Sequence, residues 1–307
     1  MIAENVLELI GNTPMMTLDR TFPGCAGRIV AKLECLNPTS IKDRPMLNLV
    51  RKAVASGKIT SSTVVVEATS GNSGIALASI GTVLGFRVRL FMSEACSVER
   101  QKLMRAYGAE LVLTPASEHT RGARDRAIAF CDADPKNTFF VNQHSVGENG
   151  EAHYLSTGPE IWRATDGKVG AVVIGLGTCG TLDGLSRYFK EKDPAVRIIG
   201  VEPKASPVFS GGASAPHRIN GIGPGLVTEN FKRVSDLVDD ILLIDDDTAF
   251  EWARIVSRAE GLIVGPTSGA TVWGADQVRK SLDLADRKIV CFLYDSGERY
   301  LSMDGLF

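Results

Sequence analysis

Short runs of β-branched and aliphatic residues take turns along this chain with longer stretches in which apolar residues recur every three or four positions. The runs fall at residues 28–33, 64–67, 87–91, 110–113, 172–174, 197–201, 241–244 and 289–293. Helical spacing fills most of the intervals, near 43–56, 74–84, 98–107, 123–131, 150–163, 180–190, 246–258 and 270–284. Ser97 stands as an N-cap before VERQKLMRAYG, and Gly108 as the residue that ends that helix. Strand and helix alternating in this way predict an α/β chain with parallel sheets.

Two stretches break the rhythm. Residues 203–226, PKASPVFSGGASAPHRINGIGPGL, form a long Gly/Pro/Ser-rich segment that reads as a lid or pocket wall. Residues 142–150, NQHSVGENG, are polar and mark a domain seam. At 307 residues the chain has room for two domains of about 150 each. Its hydrophobic share of 44% and charged share of 23% are those of a soluble globular protein. A net charge of −2 gives no basic footprint for nucleic acid. No apolar run reaches membrane-span length, and the first residues lack the basic and apolar regions of a signal peptide, so no membrane partner and a cytoplasmic location are expected. The six cysteines are scattered, with no Cys-x-x-Cys pair and no histidine at metal spacing, which predicts reduced thiols and no metal site.

Candidate chemistry gathers at three places. Residues 63–78, TVVVEATSGNSGIALA, carry a strand pattern through a Gly/Ser/Asn turn directly into a helix pattern. The amides of a helix start and the positive end of its dipole favour an anion, and Asn72 with the hydroxyls of Thr69, Ser70 and Ser73 adds directional groups. Residues 171–182, AVVIGLGTCGTL, repeat the design. Lys42 lies between the chain start and the first of these loops, in the polar break NPTSIKDRP. Two anion cradles and a candidate reactive amine suit a pyridoxal phosphate enzyme acting on an amino acid. A rival reading stays open at this level: Gly175, Gly177 and Gly180 form a literal G-x-G-x-x-G, and Glu202 ends the next strand pattern as a ribose-binding acid does in a dinucleotide site. A different phosphorylated ligand, or no chemistry at all, is the third possibility.

Taken together, the segments resemble the cysteine synthase family, fold-type II pyridoxal phosphate enzymes that perform β-replacement on activated serine. LELIGNTPM at 7–15, LNPTSIKDRP at 36–45, EATSGNSGIALA at 67–78, GLGTCGTLDG at 175–184, GLIVGPTSGA at 261–270 and DSGERYLS at 295–302 follow one another in the family's order and span essentially the whole chain. The resemblance implies two doubly wound α/β domains with mostly parallel sheets and the active site between them. The larger, cofactor domain is expected over 1–36 plus 146–307, and a smaller mobile domain with the carboxylate loop over 37–145. A homodimer is implied as well.

The resemblance also assigns roles. Lys42 holds pyridoxal 5'-phosphate as a Schiff base and then removes the α-proton. Asn72 lies beside the cofactor's ring oxygen. Thr69, Ser70, Gly71, Asn72, Ser73 and Gln143 bind the substrate carboxylate, with Gly221 of the long segment also at the substrate. Gly177, Thr178, Cys179, Gly180 and Thr181 hold the phosphate. Thr267 stands at the pyridine nitrogen where the family usually has serine, with Ser268 as the alternative for that place. A neutral hydroxyl there makes the ring a milder electron sink, suited to elimination through an aminoacrylate. Two departures stand out. Only three residues separate Pro38 from Lys42, where four are common, and Cys179 replaces a glycine.

The function implied is replacement of the leaving group of O-acetylserine or O-phosphoserine by sulfide, giving L-cysteine. Alternatives are O-phosphoserine joined to the amine of L-glutamate in a siderophore or diaminopropionate pathway, and a cystathionine β-synthase-like reaction. A non-catalytic metabolite-binding protein is the alternative of a different class. A phosphate leaving group is best held by a guanidinium, and Arg218 in the long segment is the residue expected to reach it.

Overall fold

Each apolar strand run hands over to a helix at a turn residue, and the computed structural model, which describes residues 2–307, keeps that order. Strands β1 (Met15–Thr17) and β2 (Ile29–Leu33) come first, then α1 (Asp43–Ala55), β3 (Val64–Ala68), α2 (Asn72–Leu84) and β4 (Arg87–Ser93). They are followed by α3 (Val98–Ala106), β5 (Glu110–Thr114), α4 (His119–Ala133) and β6 (Thr138–Phe140). Next come α5 (Glu148–Ala152), a π-helical turn (His153–Thr157), α6 (Gly158–Ala164), β7 (Val169–Gly175) and α7 (Gly180–Lys192). The chain continues with β8 (Arg197–Pro203), α8 (Glu229–Lys232), β9 (Asp240–Ile244), α9 (Asp246–Glu260), α10 (Pro266–Ser281) and β10 (Lys288–Leu293). Strands β1 and β6, three residues each, are too short to leave a periodic signal in the sequence.

The chain forms two units. The smaller comprises the segment ending at Ile10 together with Asn37–Gln143, and the larger comprises Gly11–Leu36 with His144–Phe307. The opening residues thus belong with the smaller unit rather than the larger one, because the 3-10 turn Val6–Leu9 buries Leu7 and packs on α2.

In the smaller unit four parallel strands lie in the order β5-β4-β3-β6. The chain winds outward from β3 to β5, then returns to add β6 on the far side of β3. Such a reversal opens a crevice at the carboxyl ends of the two strands that flank it, here β3 and β6. The larger unit repeats the device. Its sheet runs β1-β2-β10-β7-β8-β9, parallel except for the edge strand β1, and the reversal lies between β7 and β10.

The larger core is mostly apolar, with a few charged side chains buried at its margins. Lys32, the fourth of the five residues of β2, is fully buried; its Nζ donates to Glu160 Oε2 at 2.7 Å and to the hydroxyl and carbonyl oxygens of Thr13. Glu160 Oε1 in turn accepts the Asn12 N–H, so this ion pair ties the segment before β1 to α6. Among the described residues no helix is long and apolar enough to cross a membrane.

Candidate active site

In the smaller unit the loop after β3 sits at the reversal point. Thr69 Oγ1 accepts the N–H of Gly71 at 3.0 Å and that of Gly74 at 3.3 Å, which bends the chain sharply into α2. Ser70 is exposed at the tip, and Asn72, the first residue of α2, is half-buried. Ser73 is buried; its hydroxyl donates to Gln143 Oε1 at 2.5 Å. That bond fixes the orientation of the Gln143 amide. Gln143 follows β6, so both flanks of the crevice contribute.

Beneath them lies Glu67, fully buried at the end of β3. Its carboxylate accepts the Ala68 N–H at 2.8 Å and the Gln143 N–H at 3.2 Å. Burial pushes its pKa up to about 7, against the pull of those two N–H groups and of the Arg124 guanidinium.

Lys42 is half-buried and stands at the N-cap of α1. The shortened loop before it is wound around Asp43, whose carboxylate accepts the N–H groups of Thr39 at 2.7 Å and Ser40 at 3.3 Å and the Thr39 hydroxyl. Asp43 thus closes the three-residue turn that the sequence left as a departure. Helices α1 and α2 pack together, so the amine and the Thr69–Ser73 loop belong to one unit.

The larger unit holds the second cradle, between β7 and α7. First-turn amides of a helix have no intrahelical acceptor and attract anions. The Thr178 and Thr181 side chains are buried beside them. A Cβ at Gly177 would run into the Gly221 carbonyl oxygen, and one at Gly180 into the Asn149 amide. Gly221 itself has φ +116, a value that favours glycine. Cys179 is buried at φ +60 as the N-cap of α7, and its Sγ points back to the Gly177 carbonyl at 3.5 Å.

Residues that the sequence reading did not single out hold this loop. Asn149 Nδ2 donates to Thr178 Oγ1 at 3.2 Å, and Asn230 Nδ2 to the Thr178 carbonyl at 2.9 Å. Arg233 bridges the Asn230 side chain and the Ser145 carbonyl. His153, in the π-helical turn, lies 2.9 Å from Thr157 Oγ1 and 3.3 Å from Thr181 Oγ1. The only hint in the sequence was the place of Asn149 in the polar stretch 142–150.

Thr267 and Ser268 separate clearly at the start of α10. Ser268 is fully buried and accepts the Tyr294 N–H at 2.9 Å. Thr267 Oγ1 donates to the Asn220 carbonyl at 2.7 Å and lies beside Gly221, whose added Cβ would stand 2.6 Å from it.

Two expectations are redirected. Glu202, the ribose-binding acid of the dinucleotide reading, is fully buried and accepts the N–H groups of Phe209 and Ser210 at 2.9 Å each, which orders the start of the long segment. Its carboxylate is spent on the protein's own backbone. Arg218 is exposed, but its guanidinium lies 4.7 Å from the centre of the Phe250 ring and donates to the Asp304 carbonyl. It serves the C-terminal segment.

The second cradle fits a phosphate monoester: helix-start amides, two hydroxyls and glycines with no room for a Cβ form a small, neutral, donor-rich pocket. Comparison with known proteins agrees. Residues 6–295 match the family model described as pyridoxal-phosphate dependent enzyme. A cysteine synthase of Staphylococcus aureus is 39% identical over 301 residues, 97% of this chain and 96% of that protein. The crystal structure of O-acetyl serine sulfhydrylase isoform 3 from Entamoeba histolytica superposes with a TM-score of 0.93 at 38% identity, covering 100% of this chain and 92% of the other. The O-acetylserine dependent cystathionine beta-synthase from Helicobacter pylori gives 0.91 at 34% identity, with 98% of each chain covered. The chain therefore belongs to the cysteine synthase family of pyridoxal-phosphate dependent enzymes.

Proposed function

We propose that this chain catalyses β-replacement on an activated L-serine, taking sulfide as the nucleophile and releasing L-cysteine. The observation that carries the reading is the constellation in the smaller unit: Lys42 on one helix start, and the polar side chains of Thr69, Ser73 and Gln143 gathered at the next. Bound pyridoxal phosphate supplies the electron sink that makes the α-proton acidic and lets the β-substituent depart. Lys42 Nζ anchors the cofactor and then moves the α-proton. Thr69, Ser70, Gly71, Ser73 and Gln143 hold the substrate carboxylate, and Asn72 orients the ring. The Gly177–Thr181 loop binds the phosphate. Gly221 borders the substrate, and Thr267 places a neutral hydroxyl at the pyridine nitrogen.

Of the two activated serines we favour the acetyl ester, because the arginine expected to read a phosphate is engaged at Phe250 and Asp304. We further infer a cytoplasmic homodimer, testable by light scattering. The deciding experiment offers the holoenzyme O-acetyl-L-serine or O-phospho-L-serine with sulfide, homocysteine or glutamate in turn and identifies the product by mass. L-Cysteine from the acetyl ester and sulfide is the expected main product. A dominant product with glutamate or homocysteine reassigns the nucleophile, and no product from any pair overturns the reading.

A further inference from the structure

Arginine is seldom fully buried unless its fork of donors is engaged. Arg100 has 2% exposure on α3, and with Met104 one turn later it forms the whole buried face of that helix. Both side chains press on the carboxylate loop. A Cβ at Gly74 would stand 2.8 Å from the Met104 methyl; one at Gly71 would stand 2.7 Å from Arg100 Cδ and Nε and 2.9 Å from its Cζ. Arg100 Nη1 donates to the Ser70 carbonyl at 3.0 Å.

A trans peptide points its C=O and N–H in opposite directions. Holding the Ser70 carbonyl back against Arg100 therefore turns the Gly71 N–H forward, onto Thr69 Oγ1. The Gly74 N–H adds a second bond to the same oxygen. A hydroxyl oxygen that accepts twice has both lone pairs occupied and can offer only its proton. Among the described residues the Thr69 hydroxyl accepts these two bonds and donates to no protein group. A cation at the head of such a chain polarises each bond after it.

We propose that Arg100 is a positioning residue that, through the Ser70–Gly71 peptide, sets the Thr69 hydroxyl as a dedicated donor to the α-carboxylate of the substrate. The inference rests on the reading of this loop as the carboxylate site. Gly71 is the other half of the device, since only its missing Cβ lets the guanidinium lie against the loop.

The test uses holoenzyme and two probes, L-alanine and ethylamine, which share an amine and differ in the carboxylate. Their binding is read from the visible absorbance of the bound cofactor. Arg100→Met is expected to weaken L-alanine roughly tenfold, the worth of one orienting hydrogen bond, while ethylamine affinity and cofactor content stay as in the parent. In a Thr69→Val background Arg100→Met is expected to add no further loss, because both changes remove the same donor. Should the methionine variant not fold, Arg100→Lys, which keeps a single donor, is expected to weaken L-alanine by about threefold. Equal losses with both probes, full additivity with Thr69→Val, or no loss at all would overturn the proposal while leaving the carboxylate loop in place. If the parent enzyme itself responds no better to L-alanine than to ethylamine, the carboxylate reading falls and takes the proposal with it.

Discussion

The two anion cradles share a plan and differ in how they are held. Each follows a central parallel strand at a reversal in strand order, and each opens a helix. Behind the Gly177–Thr181 loop stand neutral amides, Asn149 and Asn230, and glycines walled in by backbone and side chain. Behind the Thr69–Ser73 loop stand a guanidinium and a buried carboxyl group, Arg100 and Glu67. A ligand that stays bound needs a fixed pocket, and close packing with side-chain amides behind the loop provides one. A ligand that enters and leaves with each turnover needs donors that are oriented yet reachable, which the exposed Ser70 and half-buried Asn72 satisfy.

The sharpest way to break the comparison is to remove the amine. Lys42→Ala is expected to lower turnover at least about a thousandfold, since anchor and base are lost together. The phosphate cradle does not include it, so the purified variant should still carry cofactor, now released by denaturation without fixation by borohydride. Residual turnover near the parent rate would remove Lys42 from the chemistry.

Next in size is a pair of matched glycine substitutions. Gly177→Ala drives a methyl group into the Gly221 carbonyl, and overpacking of that kind costs about 1–3 kcal/mol. Cofactor affinity is expected to fall roughly ten- to a hundredfold. Gly71→Ala meets the Arg100 side chain instead of backbone and should keep its cofactor while binding substrate less well. Desalting each variant and reading the cofactor absorbance separates them. Equal cofactor loss in both would mean that the two loops are not specialised.

Much of this was legible in the sequence. The alternating strand and helix patterns predicted the parallel sheets, and the Gly/Ser/Asn and Gly/Thr turns marked the two cradles because helix starts need such residues. What stayed hidden was support from a distance. Arg100 is one of several charged residues in VERQKLMRA and nothing in the spacing marks it as buried, and Asn149 and Asn230 lie 29 and 52 residues from the threonine they hold. Nothing in a linear pattern says which buried polar group faces which loop. Arg218 illustrates the converse: a basic residue in a Gly-rich segment looks available, while in the fold its guanidinium lies against Phe250 and the Asp304 carbonyl.

The buried carboxyl group gives the first cradle a pH dependence. Glu67 titrates near 4.5 when unfolded and near 7 in the folded chain. The folded state therefore holds a proton that the unfolded state has lost, and stability falls as pH rises between those values. The loss is on the order of 3 kcal/mol once both states are ionised. Urea midpoints of the parent should drop between pH 5 and pH 8. Glu67→Gln turns an NH2 group toward one of the two N–H donors, a penalty independent of pH, so its midpoint should stay level across that range. Parallel curves for parent and variant would show that Glu67 does not titrate there.

The smallest effect is expected at Cys179, where the second cradle carries a side chain at φ +60. A left-handed backbone costs a non-glycine residue about 1–2 kcal/mol. Cys179→Gly relieves that strain but gives up a buried thiol and frees the unfolded chain by about 0.5–1 kcal/mol. The terms nearly cancel, so its melting temperature should move by no more than a few degrees and its cofactor affinity should hold. Cys179→Val has no such escape: a β-branched side chain resists positive φ, and the loop that presents Thr178 and Thr181 must shift to relieve it. Weaker cofactor retention is expected in the valine variant alone. If glycine and valine behave alike, the loop's conformation is set by its neutral partners Asn149 and Asn230 and not by the residue at its apex.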